Sequence, residues 1–269
     1  MDQLTIKEMN SMTSLGGYQT AAIKSVGKYR TNDCDGPASI NNNFTGQGSV
    51  GFPAAVVIAA TWNNELANKF GDSIGTMADQ MDTAGWYGPA MNIHRTAFAG
   101  RNFEYYSEDG VLSGDIAASA IQGAQAHGVY AYMKHFALND QETNRTSMLC
   151  TWANEQAIRE VYLKPFEKSV KDGGSLAVMS SFNYIGNCWA GGCSELLEDV
   201  LRGEWGFKGF VETDYFGVYG YMNADQAIRN GTDLMLVNYA TEANDMKYTE
   251  TAGAVSYTHL RAHETAANL

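Results

Sequence analysis

No stretch of this sequence is apolar for long enough to cross a bilayer. The longest uninterrupted apolar run, Pro53 to Ala60, falls far short of the ~20 residues a spanning helix needs. Met1 to Asn10 lacks the apolar core of a secretory signal, so a chain that natively began at Met1 is expected to stay in the cytoplasm. Positive charge is scarce too: 18 Lys and Arg stand against 30 Asp and Glu, a net charge of −12. Such a balance repels phosphate backbones and anionic lipid, which argues against nucleic acid and membrane surfaces as partners and leaves a neutral small molecule compatible. Cysteines are few and scattered, at Cys34, Cys150, Cys188 and Cys193. Cys188 and Cys193 do not have the C-x-x-C spacing of a zinc site, so no metal and no cofactor is called for, and reduced, partly buried thiols are expected. No internal repeat and no low-complexity linker interrupts the chain.

What recurs is a short β-prone run that breaks into polar residues and is followed by a helical stretch. The runs are Gly85–Ala90, Val129–Met133, Leu176–Met179, Phe210–Glu212 and Leu234–Leu236. Each is short and dominated by apolar or aromatic residues, as strands covered on both faces should be. Polar residues stand just past them: Asn92 and His94, Lys134 and His135, Ser180 to Asn183, Thr213 and Asp214, and Asn238. Between the runs, Val111, Leu112, Ile116, Ala120 and Ile121 share one helical face that should stop near Gly128. Ile158, Val161, Tyr162 and Phe166 form another, bent or split at Pro165. Ser194 reads as an N-cap before the stripe Leu196, Leu197, Val200, Leu201. Strands alternating with helices predict an α/β fold with a parallel sheet, a barrel whose chemistry sits at the C-terminal strand ends.

Gly46-Gln47-Gly48-Ser49-Val50-Gly51 matches G-x-G-x-x-G, but no apolar strand precedes it and Phe52-Pro53 stands where a helix should already run. A loop beside the site is the better reading. Asp214, at the end of Gly209–Thr213, is either a structural cap or a functional carboxylate, because a buried strand-end carboxylate is costly otherwise. Glu212 lies two residues earlier on the same side and is expected to be an interior residue held by a cation. Lys134 and His135 can both face a pocket only if the strand ends at Met133. Together with Arg101 and the polar loop Asn139 to Arg145 they offer cations, a carboxylate and aromatic faces, a mixture suited to a polyhydroxylated ring.

These motifs resemble those of glycoside hydrolase family 3. The residues that carry the resemblance are Asn92–Arg95, Gly100–Asp109, Lys134-His135-Phe136, Asp140–Arg145, Leu201–Phe207 and Thr213-Asp214-Tyr215, spread between about Asp35 and Asn238. The resemblance implies a (β/α)8 barrel, irregular or incomplete in its N-terminal strands, over residues 1–254, that hydrolyses a β-glycoside or oligosaccharide with retention. Asp214 falls at the family's nucleophile. Asp35 falls at a carboxylate that grips outer sugar hydroxyls, and Arg101, Lys134, His135 and Arg145 match hydroxyl-binding cations. Tyr215 takes the place of a Trp that stacks on the leaving-group side. Asn41 stands where the family often has Arg, and Phe182 where it often has a Tyr. Ala137 after Lys-His-Phe favours the β-glucosidase or β-xylosidase branch over the N-acetylglucosaminidase one.

The mechanism so implied needs an ionised Asp214, with Lys134 and Arg101 expected to keep its pKa low. It also needs a second carboxylic acid roughly 5–5.5 Å away to protonate the leaving oxygen. In that branch the acid belongs to a separate α/β sandwich domain, so that missing domain is a partner and the isolated chain is expected to be weakly active or inactive. A Schiff-base aldolase using Lys134 and a non-catalytic sugar-binding barrel are the rival readings. Residues 255–269, with His259 and His263, read as a non-native tail resembling translated sequencing-adapter read-through.

Overall fold

In the computed structural model, residues 3–216 and 219–237 are described; Asn238 and residues 255–269 lie outside them. Six strands form the main sheet: Gln19–Thr20 (β1), Thr31–Cys34 (β2), Gly85–Trp86 (β3), Tyr130–Phe136 (β4), Ala177–Ser180 (β5) and Phe210–Glu212 (β6). Their spatial order is their chain order, and every pair is parallel except the opening antiparallel pair β1–β2. The result is an α/β fold with a curled half-barrel sheet. Leu234–Leu236 contributes only a single parallel bridge, between Leu234 and Glu212.

Alternation along the strands sorts the two faces. Ala131 and Met133 of β4, Val178 of β5 and Val211 of β6 pack outward in the main apolar cluster with Ile116, Phe166, Leu197 and Leu201 from the helices. Tyr130, Tyr132, Ala177, Met179 and Phe210 turn inward with Tyr87 and Leu236. Asp33 and Glu212 are fully buried, and Asp33 accepts from the Tyr130 and Tyr132 hydroxyls at 2.6 and 2.7 Å. The inner face thus mixes tyrosines and carboxylates with Ala177, Met179 and Leu236.

Helix α1 (Ile6–Ser14) opens on a capping box in which Thr5 and Glu8 satisfy each other's backbone N–H. Just past it, Gly16 N donates to Met235 O at 3.1 Å and Met235 N donates to Thr13 O at 2.7 Å. A Cβ at Gly16 would sit 2.5 Å from Met235 O and 2.6 Å from Glu212 Oε1, so only glycine lets the two segments approach.

Helices α2 (Asn64–Gln80) and α3 (Gly110–Gln125) are capped by the Asn63 and Asp109 side chains and lie against one another. Apolar spacing alone does not predict α2, because its buried face is carried by Ala67, Phe70, Gly71, Ile74, Gly75 and Ala78 and so contains two poor helix formers. Those glycines are what the packing requires: a Cβ at Gly71 would lie 2.0 Å from the backbone oxygen of Ala120. Gly71→Ala is expected to lower the free energy of unfolding by about 3 kcal/mol, the upper end for overpacking, read as a lower urea midpoint. An unchanged midpoint would contradict this packing.

Of two other helix expectations, one is met and one needs correction. Helix α4 (Lys164–Lys171) starts one residue before Pro165, after a π-helical segment Ile158–Tyr162, so the predicted break is present. Ser194, however, is itself helical and makes no cap. Its hydroxyl instead contacts Glu195 Oε2 at 3.2 Å, and Glu195–Glu204 winds as a π-helix that still buries Leu196, Leu197, Val200 and Leu201. The G-x-G-x-x-G run falls in an antiparallel pairing of Asn41–Asn42 with Gln47–Gly48, with no helix opening inside it.

Candidate active site

The curled sheet presents its C-terminal strand ends to one pocket of about 180 Å³. That is room for a small polar ring, well under the roughly 300–1,000 Å³ of drug-sized sites. Asp35, Arg101, Lys134, His135, Arg145, Asp214 and Tyr215 all line it, joined by Tyr18, Tyr87, Met179 and Leu236.

Asp214 follows β6 by two residues and is buried. Its Oδ1 accepts from Tyr215 N at 2.7 Å. Its Oδ2 makes no hydrogen bond and lies 3.7 Å from both His135 Nε2 and Arg145 Nη1. Burial raises the Asp214 pKa above the ordinary carboxylate value, opposed by Arg145, then Arg101, the Tyr215 N–H and Lys134. The expectation that Lys134 and Arg101 would hold it low is thus corrected. Desolvation outweighs the cations, and Arg145 is the strongest of them.

Lys134 and His135 reach the same pocket without the strand ending at Met133. The ladder runs on to Phe136, and the register between β4 and β5 slips between Met133 and Phe136, breaking the strict alternation. Asn92 clamps this irregular stretch, accepting from His135 N at 2.8 Å and donating to His135 O at 2.9 Å. Lys134 Nζ donates to Asp35 Oδ1 at 2.9 Å, so it is engaged and not free to attack a carbonyl, which counts against the aldolase reading. Burial drives the Asp35 pKa up, but Lys134, the Gly36 N–H and Arg101 overcome it and the net shift is downward.

His135 was expected to be a cation and is not. Burial first, then Arg101, Lys134 and Arg145, lower its pKa well below the usual value, so its imidazole is neutral. Arg101 Nη2 lies 3.1 Å from His135 Nε2, and a guanidinium can only donate. The ring proton therefore belongs on Nδ1, 3.1 Å from the Tyr105 hydroxyl. Arg101 also donates to Glu104, and Arg145 Nε forms an ion pair with Glu142 Oε2 at 2.8 Å. The Arg145 guanidinium lies over the Phe182 ring, 4.6 Å from its centroid. These carboxylates and rings aim the guanidinium groups. Asn92, Glu104 and Glu142 stood inside recognised motifs, but nothing marked them as the groups that orient their neighbours.

Asn41 is exposed on its hairpin, with its amide donating to Asn43 Oδ1 at 3.1 Å, and does not line the pocket. Glu212 is not held by a cation. Both its oxygens lack hydrogen-bond partners, the neighbouring Tyr87 and Tyr132 hydroxyls donating instead to Gly16 O and Asp33 Oδ2. Burial, then the charge of Asp33, pushes its pKa well above normal.

The glycosyl hydrolase family 3 N-terminal domain profile matches residues 40–265. A β-glucosidase of Rhizobium radiobacter is 37% identical over 238 residues, which are 87% of this chain and 29% of that protein. β-Glucosidase A of Butyrivibrio fibrisolvens is 39% identical over 207 residues, 77% of this chain and 25% of that protein. Among solved structures, β-glucosidase 3B from Thermotoga neapolitana in complex with glucose superposes with a TM-score of 0.84 at 33% identity, covering 97% of this chain and 39% of that one. The chain thus spans under a third of the length of the two β-glucosidases it resembles in sequence.

Proposed function

The chain belongs to glycosyl hydrolase family 3, and on that premise we propose that its pocket binds the sugar of a β-glucoside and that Asp214 attacks it in a retaining hydrolysis. The carrying observation is Asp214 Oδ2, a buried carboxylate oxygen without a hydrogen bond, at the pocket wall between Arg145 Nη1 and His135 Nε2. A nucleophile must keep one lone pair available, and Arg145 favours its charge while neither Arg145 nor the neutral His135 occupies it. Arg101, Lys134, Arg145, Asp35 and neutral His135 offer donors and an acceptor around the ring's hydroxyls, and Tyr215 supplies an aromatic wall on the leaving-group side.

In this reading the curled sheet is part of a (β/α)8 barrel. Asp214 displaces the glycosidic oxygen at the anomeric carbon and forms a glycosyl ester. Water then cleaves the ester with overall retention. The acid that protonates the departing oxygen, and later takes a proton from water, comes from an α/β sandwich domain outside residues 1–254. Residues 255–269 stand outside the catalytic unit. β-Xylosides are the alternative substrates within the same mechanism.

A 2-deoxy-2-fluoro glucosyl fluoride tests this in the chain as it is, because fluoride leaves with little acid assistance. A covalent adduct on Asp214 is expected by peptide mass spectrometry. Label on any other residue would overturn the assignment.

A further inference from the structure

We propose that Tyr18 is a sugar-binding residue, its hydroxyl working with Asp35 Oδ2 to hold one outer hydroxyl of the sugar; this rests on the sugar-pocket reading above. Tyr18 lines the pocket beside Asp35 and Lys134, yet it comes from the N-terminal segment, where no motif drew attention to it. Asp35 Oδ1 is occupied, taking Lys134 Nζ at 2.9 Å and Gly36 N at 2.8 Å. Asp35 Oδ2 faces the Tyr18 hydroxyl at 3.5 Å, longer than the roughly 2.7–2.8 Å at which such pairs settle. An acceptor and a donor held side by side at that separation match the two needs of a sugar hydroxyl, which donates to one and accepts from the other.

The position of Tyr18 is fixed before any ligand arrives. Its backbone N donates to the Tyr87 hydroxyl at 3.0 Å and its carbonyl accepts from Asp33 N at 3.0 Å. Its ring meets Phe44 and Tyr87 edge-on, at centroid distances of 4.9 and 5.3 Å. Its backbone takes φ = +56°, a conformation that only surrounding contacts hold for a bulky residue. Asn41, where relatives often carry an arginine, points away on the exposed hairpin. The donor beside Asp35 Oδ2 is thus the neutral phenol of Tyr18, while the cation Lys134 serves Oδ1.

The test is titration of this chain with glucose and with 3-, 4- and 6-deoxyglucose, followed calorimetrically, in the wild type and in Tyr18→Phe, which keeps the ring packing. Glucose affinity is expected to fall roughly five- to ten-fold in Tyr18→Phe. One of the deoxy sugars should bind both proteins alike, since it lacks the hydroxyl that Tyr18 serves. Equal glucose affinity in the two proteins would overturn the role of Tyr18 while leaving the sugar pocket standing. So would a loss that is the same for all four sugars. If the wild type bound none of the sugars, the pocket reading itself would fall, and Tyr18 with it.

Discussion

Replacing Asp214 by Asn is expected to lower hydrolysis of a dinitrophenyl β-glucoside by on the order of 10⁴-fold or more, the scale seen when a covalent nucleophile is removed. That substrate isolates the attacking step, because its leaving group departs without a proton. The amide is nearly isosteric with the carboxylate, so the Tyr215 N–H contact at 2.7 Å is retained and the fold should not change. What disappears is the charge facing Arg145 and His135. Asp214→Gly with added azide should recover turnover and give an α-configured glucosyl azide, which a positioning role for Asp214 could not produce. A normal rate in Asp214→Asn would remove the proposed mechanism. Because burial raises the Asp214 pKa, the acidic limb of the rate profile should lie above the range of an exposed aspartate.

Glu212→Gln should stabilise the chain at neutral and alkaline pH by about 1–4 kcal/mol, because the amide removes a linkage cost of about 1.4 kcal/mol per pH unit above the ordinary carboxyl pKa. Glu212 is fully buried and its pKa is raised, by desolvation first and by Asp33 second. At pH below its unfolded value both states hold the proton and nothing is lost. As pH rises past that point the unfolded chain ionises while the folded one resists, and stability falls by about 1.4 kcal/mol per pH unit until the folded pKa is reached. Asp33, pushed up to about 6 by burial against the hydrogen bonds of Tyr130 and Tyr132, adds a similar loss that ends near pH 6. Buried Asp140, raised to about 7, adds a loss of its own in both proteins, so melting curves between pH 4 and 9 should show the wild type declining more steeply than Glu212→Gln, most clearly beyond pH 7. Parallel curves for the two proteins would contradict an uncompensated Glu212.

Of the pocket residues, Asp35, Lys134, His135 and Asp214 stand at or just past strand ends and Arg101 and Arg145 in the loops beyond, all inside compact motifs. From the pattern alone Asp214, Lys134, His135 and Arg101 each stay ambiguous, and it is the set of motifs resembling glycoside hydrolase family 3 that singles them out. Tyr18 could not be found that way, since its place beside Asp35 depends on Tyr87 and Asp33, which hold its backbone N–H and carbonyl. The presence of His135 in the site was legible, but its charge was not: neutrality follows from burial among three cations drawn from separate motifs. Glu212 was misread because alternation puts it on the inner face but says nothing of who else is there, and its neighbours are tyrosines and a second acid. Helix α2 escaped notice because glycines that look like breakers are there for close backbone contact with α3.

The pairing of Gly16 with Met235 has a bearing on biogenesis. Tyr18 and Leu236 flank the same pocket although they come from opposite ends of the described chain. During synthesis Tyr18 leaves the ribosome early and must wait for the last described segment before its wall exists. Contacts of such sequence separation form late and slowly. A sugar that binds only the finished pocket would therefore stabilise only chains translated beyond Leu236, leaving shorter nascent forms unprotected.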